Sequence, residues 1–106
     1  MSIAAALFFA GLLLCNCIPH LVRGLCGLPF PTPFATPRGV GDSSARTNLL
    51  WGFVNLVAGL AILSRYPVTL RFDMPLTALL AGGLVAGLYL STHFGKVMRD
   101  RGDRAA

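Results

Sequence analysis

Long apolar runs separated by short polar breaks set the pattern of this chain. Residues 3–22, IAAALFFAGLLLCNCIPHLV, contain no Lys, Arg, Asp or Glu. About 20 apolar residues, at a rise of ~1.5 Å each, cross a hydrocarbon core about 30 Å thick. The same reading applies to residues 47–66, TNLLWGFVNLVAGLAILSRY, and to residues 75–95, PLTALLAGGLVAGLYLSTHFG. The pattern therefore predicts an all-α integral membrane protein with three transmembrane helices. They form a single three-helix domain over residues 1–106. A cleaved signal peptide is the rival reading of the first run. No basic n-region precedes it, and Leu14-Cys15-Asn16-Cys17 offers no small-residue cleavage site, so retention as an anchor is expected.

The breaks carry their own signals. Residues 24–46 contain Pro29, Pro31, Pro33 and Pro37 with Gly24, Gly27, Gly39 and Gly41. Each X-Pro pushes the preceding residue out of the α region. Phe30-Pro31-Thr32-Pro33-Phe34 therefore reads as an extended or polyproline II segment, with Phe30 and Phe34 as anchors to the surface or a partner. Asp42, Ser43 and Ser44 are suited to cap the second helix. Trp51 and Tyr66 lie near that helix's ends, where interfacial aromatics sit. Pro67 stops it, Asp73 is placed to cap the third helix, and Pro75 suits that helix's first turn. A polar tail, residues 96–106, follows, and its last few residues are expected to be disordered.

Composition supports the membrane assignment. The chain is 55% hydrophobic and 12% charged, against about 25% charged in soluble domains. A fold this small buries only about 60% of its unfolded surface, too little to hide so much apolar area from water. The net charge is +5. The charges flank the apolar runs instead of forming one face, which points to anionic lipid headgroups and not to nucleic acid. Arg23, Arg38, Arg46, Lys96, Arg99, Arg101 and Arg104 fall on one side of the expected membrane, and Arg65 and Arg71 on the other. The basic side is expected to be cytoplasmic. That places the loop over residues 24–46 and the carboxyl terminus inside, and the amino terminus outside. Cys15, Cys17 and Cys26 are odd in number and suit buried packing better than a disulfide framework.

On the helix faces, small and polar residues recur at steps of three and four. In the second run Asn48, Gly52, Asn55, Gly59 and Ile62 fall on one face. In the third, Gly82, Gly83 and Gly87 take part in small-xxx-small spacings. Lipid does not drive helices together, so close backbone approach and interhelical hydrogen bonds must, and packing is the expected role of these faces. A second pattern joins Asn16, His20 and Arg23 on the first helix, and Tyr89, His93 and Lys96 on the third. With Asn48 and Trp51 they are expected to meet in one layer under the FPTPF loop. Polar groups at membrane depth are costly and mark candidate sites. His20 and His93, with Tyr89, are candidate cofactor-binding residues. Hydrogen-bonded histidines at headgroup level are the plainer alternative.

No Asp or Glu lies inside any run, and no phosphate loop or nucleophile elbow is present. No residue is assigned a catalytic role, and no metal site is expected. Pro19-His20, Gly24, FPTPF, Pro37, Gly39-Val40-Gly41, Ser43-Ser44, Asn48 and Trp51-Gly52 with Asn55 form a signature within residues 15–55. This stretch resembles a group of small uncharacterised bacterial inner-membrane proteins. The resemblance implies location and topology only. The expected function is a non-catalytic accessory or structural subunit that packs into a larger membrane complex or with copies of itself, with no cofactor. The alternative is a haem- or quinone-binding anchor of a redox complex, with haem b or a quinone held by His20, His93 and Tyr89. A second alternative is an oligomeric small channel or transporter.

Overall fold

The computed structural model describes residues 1–105, with side chains through Gly102. Five elements follow in order: α1 (Ile3–Leu25), β1 (Phe30–Pro31), β2 (Asp42–Ser43), α2 (Ala45–Arg65) and α3 (Met74–Ala105). The three helices are long and apolar enough to cross a membrane. The chain measures 48 × 24 × 23 Å, so its long axis is that of the helices.

Local chemistry places the helix ends. Ser2 and Ser44 cap α1 and α2, each accepting from a backbone N–H three residues on, at 3.1 Å. The end of α1 is a Schellman turn: the N–H of Leu28 reaches the carbonyl of Arg23 at 2.9 Å, and that of Gly27 reaches Gly24 at 3.1 Å. Gly27 occupies φ +72, where a side chain would be strained. Pro19 lies inside α1. The helix continues past it to Leu25.

Two helix ends and the loop differ from the expectation. α1 runs three residues past 22, since Arg23 and Gly24 still pack against the loop and α2. The polar tail over residues 96–106 is helical through Ala105 instead of loose. Arg101 explains why: its guanidinium donates to the Val40 carbonyl and forms an ion pair with Asp42 at 2.8 Å, which ties the last turns of α3 to the loop. The side chain of Arg104 and residue Ala106 lie outside the described residues. The loop is not polyproline II throughout. Phe30–Pro31 pairs antiparallel with Asp42–Ser43, Phe30 opposite Ser43 and Pro31 opposite Asp42. Proline has no N–H to give such a ladder, so the pairing stops at two residues and Thr32 takes over. Thr32 is 1% exposed. Its hydroxyl bonds to that of Ser43 and accepts from the N–H of Phe34, and its carbonyl accepts from the N–H of Gly39 at 2.9 Å.

α1 is the central helix, with α2 packed on one side and α3 on the other. The four buried residues of α2 are Asn48, Gly52, Asn55 and Gly59; Ile62, on the same face by spacing, is half-buried. A Cβ on Gly52 would press on the backbone of Leu21 and Cys17, and one on Gly59 on Leu14. On α3 the close approach is at Gly82, where a Cβ would run into the carbonyl of Phe8. Gly83 and Gly87 have ordinary van der Waals room toward Gly11 and Cys15. They line the outer seam between α1 and α3 without forcing its spacing.

Candidate functional site

Asn48 is the fixed point of the loop end. It is fully buried. Its amide nitrogen lies 2.9 Å from the carbonyl of Phe30, 3.2 Å from that of Ser43 and 3.0 Å from that of Ser44. Three carbonyls can only accept, so the nitrogen of the amide must face them. The amide oxygen then faces His20, whose Nδ1 lies 2.8 Å away. That oxygen can only accept, so His20 carries its proton on Nδ1. One side chain of α2 thereby joins α1, both edges of the β1–β2 pair and its own N-cap residue.

A second polar bridge lies about two turns along. The Asn16 amide donates to the side-chain oxygen of Asn55 at 3.0 Å, and Asn55 donates to the Trp51 carbonyl at 2.8 Å. Substituting Asn55 by leucine is expected to weaken the α1–α2 pairing by about 0.5–2 kcal/mol, the range for hydrogen bonds between membrane helices. Reversible unfolding in detergent micelles measures it, and unchanged stability would assign the pairing to Gly52 and Gly59 alone.

Between these bridges and the loop is a cavity of about 330 Å³. α1 supplies Asn16 and His20, α2 supplies Trp51, and α3 supplies Tyr89, Leu90, His93 and Phe94. The loop closes it with Pro31, Thr32, Pro33, Arg38 and Gly39. The structure thus brings His20, His93 and Tyr89 to one space, although they come from two helices that are distant in sequence. His93 is anchored through Nε2, 2.6 Å from the Gly39 carbonyl. A carbonyl accepts, so Nε2 donates. Tyr89, one turn earlier, lies parallel to the His93 ring at a centroid distance of 6.0 Å.

Rings from all three helices line the cavity, namely His20, Trp51, Tyr89, His93 and Phe94, and Phe30 packs behind them. Phe30 lies 4.6 Å from Phe94 and 5.7 Å from His20, centroid to centroid, and Phe94 lies 5.1 Å from His93. Phe30 is an internal anchor: it is buried, with the Arg23 guanidinium 5.7 Å from its ring centroid. Phe34 is exposed and meets Trp51 edge-on at 5.1 Å. The sequence assigns no site role to Phe94, Thr32, Arg38 or Arg101. Phe94 adjoins His93 but lies off the face shared by Tyr89, His93 and Lys96. Thr32 and Arg38 sit in an aperiodic loop, where no spacing rule assigns a direction.

The cavity continues into a groove of about 410 Å³ lined by Leu12, Leu13, Asn16, Asn55, Val85, Ala86, Tyr89 and Leu90. It exists because α2 and α3 both pack on α1, so a cleft remains between them over the α1 face. Asn16, Tyr89 and Leu90 are common to the groove and the cavity. An aromatic, hydrogen-bonding chamber therefore opens into an apolar channel running along the helices. Among the described residues, no cluster of three or more His, Cys, Asp or Glu side chains is placed to hold a metal ion. Comparison with known protein families, with curated proteins and with solved structures finds no match in any of the three.

Proposed function

We propose that this chain is a three-span integral membrane protein that acts as a non-catalytic accessory subunit and holds the head of a membrane-borne quinone. The observation that carries the reading is the joined cavity and groove. A quinone is a planar ring bearing oxygens and one long apolar tail. The chamber offers aromatic faces and a few directed polar groups, and the groove offers room for a tail. Sites for small molecules combine these features at volumes of about 300–1,000 Å³. Among the alternatives raised by the sequence, haem is less well suited. His93 would have to release Gly39 before its Nε2 could bind iron, whereas a quinone head requires no such rearrangement.

Orientation in this reading follows the basic residues. Arg23, Arg38, Arg46, Lys96, Arg99 and Arg101 belong to the loop end of the bundle, which is placed in the cytoplasm. The amino terminus lies outside. The bacterial inner membrane is proposed on the resemblance of residues 15–55. The outward faces of α2 and α3, with Phe53, Val54, Leu84 and Leu88 exposed, then meet lipid, a partner subunit or another copy.

The test is purification from the native host in mild detergent, with mass spectrometry of the protein peak and of its organic extract. A quinone retained in about one-to-one ratio after extensive washing, together with a co-purifying membrane subunit, is the expected result. An extract holding only bulk phospholipid would overturn the ligand assignment. A Soret band in the visible spectrum would replace the quinone by haem.

A further inference from the structure

His20 presents the cavity with a group whose hydrogen-bonding sense is fixed. The residue is only 2% exposed, and its Nδ1 is committed to Asn48. Its other nitrogen, Nε2, has no hydrogen-bond partner among the described residues. No buried side-chain nitrogen or oxygen is left unpaired there either, so Nε2 opens to the chamber that His20 lines. In the uncharged ring a proton on Nδ1 leaves a lone pair on Nε2. Moving that proton would set the Nδ1 lone pair against the Asn48 oxygen at 2.8 Å. Asn48 cannot turn to relieve this, because its nitrogen is held by three backbone carbonyls. The chamber therefore contains a hydrogen-bond acceptor locked in place by its neighbours.

We infer that the cavity selects the hydroxyl-bearing, reduced form of its ligand, a quinol over the matching quinone, with the quinol O–H donating to His20 Nε2. This rests on the quinone-class reading above and adds to it which redox form is held. A quinol oxygen donates to Nε2. A quinone oxygen can only accept, so against Nε2 it would set two lone pairs facing each other and forgo the bond that the quinol makes. His93 does not offset this, since its Nε2–H is already given to Gly39. Arg38 lines the same chamber and only donates, which suits the second oxygen of the head in either form and so does not discriminate. The apolar tail is common to both forms and cancels in the comparison.

The experiment compares three probes with the same tail on the full chain in phosphatidylcholine nanodiscs under anaerobic conditions. They are decylubiquinol, decylubiquinone and the dimethyl ether of the quinol. The quinol is expected to bind about tenfold more tightly than either of the others, the net effect of one hydrogen bond. With ¹⁵N-histidine label, the His20 Nε2 resonance is expected to move on adding the quinol and to stay in place with the quinone. Equal affinities, a preference for the quinone, or a bound quinol that leaves Nε2 unmoved would overturn the selection while keeping the site. Absence of binding by all three probes would overturn the quinone-class reading itself.

Discussion

Replacing Asn48 by leucine is expected to destabilise the fold by about 3 kcal/mol, the largest effect of any single polar substitution in the chain. The size comes from the groups left behind. Leucine branches at Cγ as asparagine does and is no smaller, so no cavity forms. The carbonyls of Phe30 and Ser43 would, however, lose the Asn48 amide, and the buried Nδ1 of His20 would lose its acceptor, while the Ser44 carbonyl keeps the backbone N–H of residue 48. Each unsatisfied buried group costs about 1–3 kcal/mol before relaxation. The loop can relax by lifting Phe30 away, which holds the sum near the upper single-group value. Denaturant unfolding in micelles measures the loss, and hydrogen exchange locates it, with faster exchange expected at the amides of Gly39 and Phe34. A loss below about 1 kcal/mol, with the loop amides still protected, would show that β1, β2 and Thr32 hold the loop without Asn48.

The second large effect is at the α1–α3 seam. Gly82→Ala is expected to cost about 3 kcal/mol, whereas Gly83→Ala, one residue on, is expected to cost less than about 1 kcal/mol. A Cβ at position 82 would run into the Phe8 carbonyl, which belongs to the α1 backbone and cannot rotate aside. The helices would have to separate along their length. At position 83 the nearest atom is the Gly11 carbonyl at 3.8 Å, an ordinary contact. Alanine there also favours the helix over glycine. Comparing the two variants by unfolding separates close packing from general glycine loss, since both remove the same backbone freedom. Equal effects would mean that the seam is more loosely set than the Phe8–Gly82 approach indicates.

The contrast between Gly82 and Gly83 shows how far helical spacing reaches. Steps of three and four identify which residues share a face, and on α2 they find the buried residues but also include Ile62, which is only half-buried near the far end of the helix. Asn48, Gly52, Asn55 and Gly59 are the residues that α2 buries. On α3 the glycines are adjacent and sit on two faces, so spacing alone does not say which one meets a backbone. The layer of Asn16, His20, Tyr89 and His93 was also legible. Polar residues are rare in apolar runs, and these four fall at matching heights. Their partners were not legible. The donors and acceptors that orient both histidines are Asn48 and the Gly39 carbonyl, and Gly39 lies 54 positions from His93 in the chain.

Hydropathy and length by themselves determined that three helices would form, roughly where they begin and end, and that the Pro/Gly stretch would be the chain's one substantial loop. These properties are local: a run of 20 apolar residues or an X-Pro pair acts wherever it occurs. Tertiary structure alone decided that α1 lies between α2 and α3, that the loop folds back as a closed two-strand turn over Asn48, and that Arg101 carries α3 past the apolar run to meet Asp42. It also decided the cleft between α2 and α3 and the sense of the His20 hydrogen bond. The physical reason is that each depends on which backbone carbonyls need donors once the helices have packed. That requirement belongs to the assembled fold and to no single stretch of the chain.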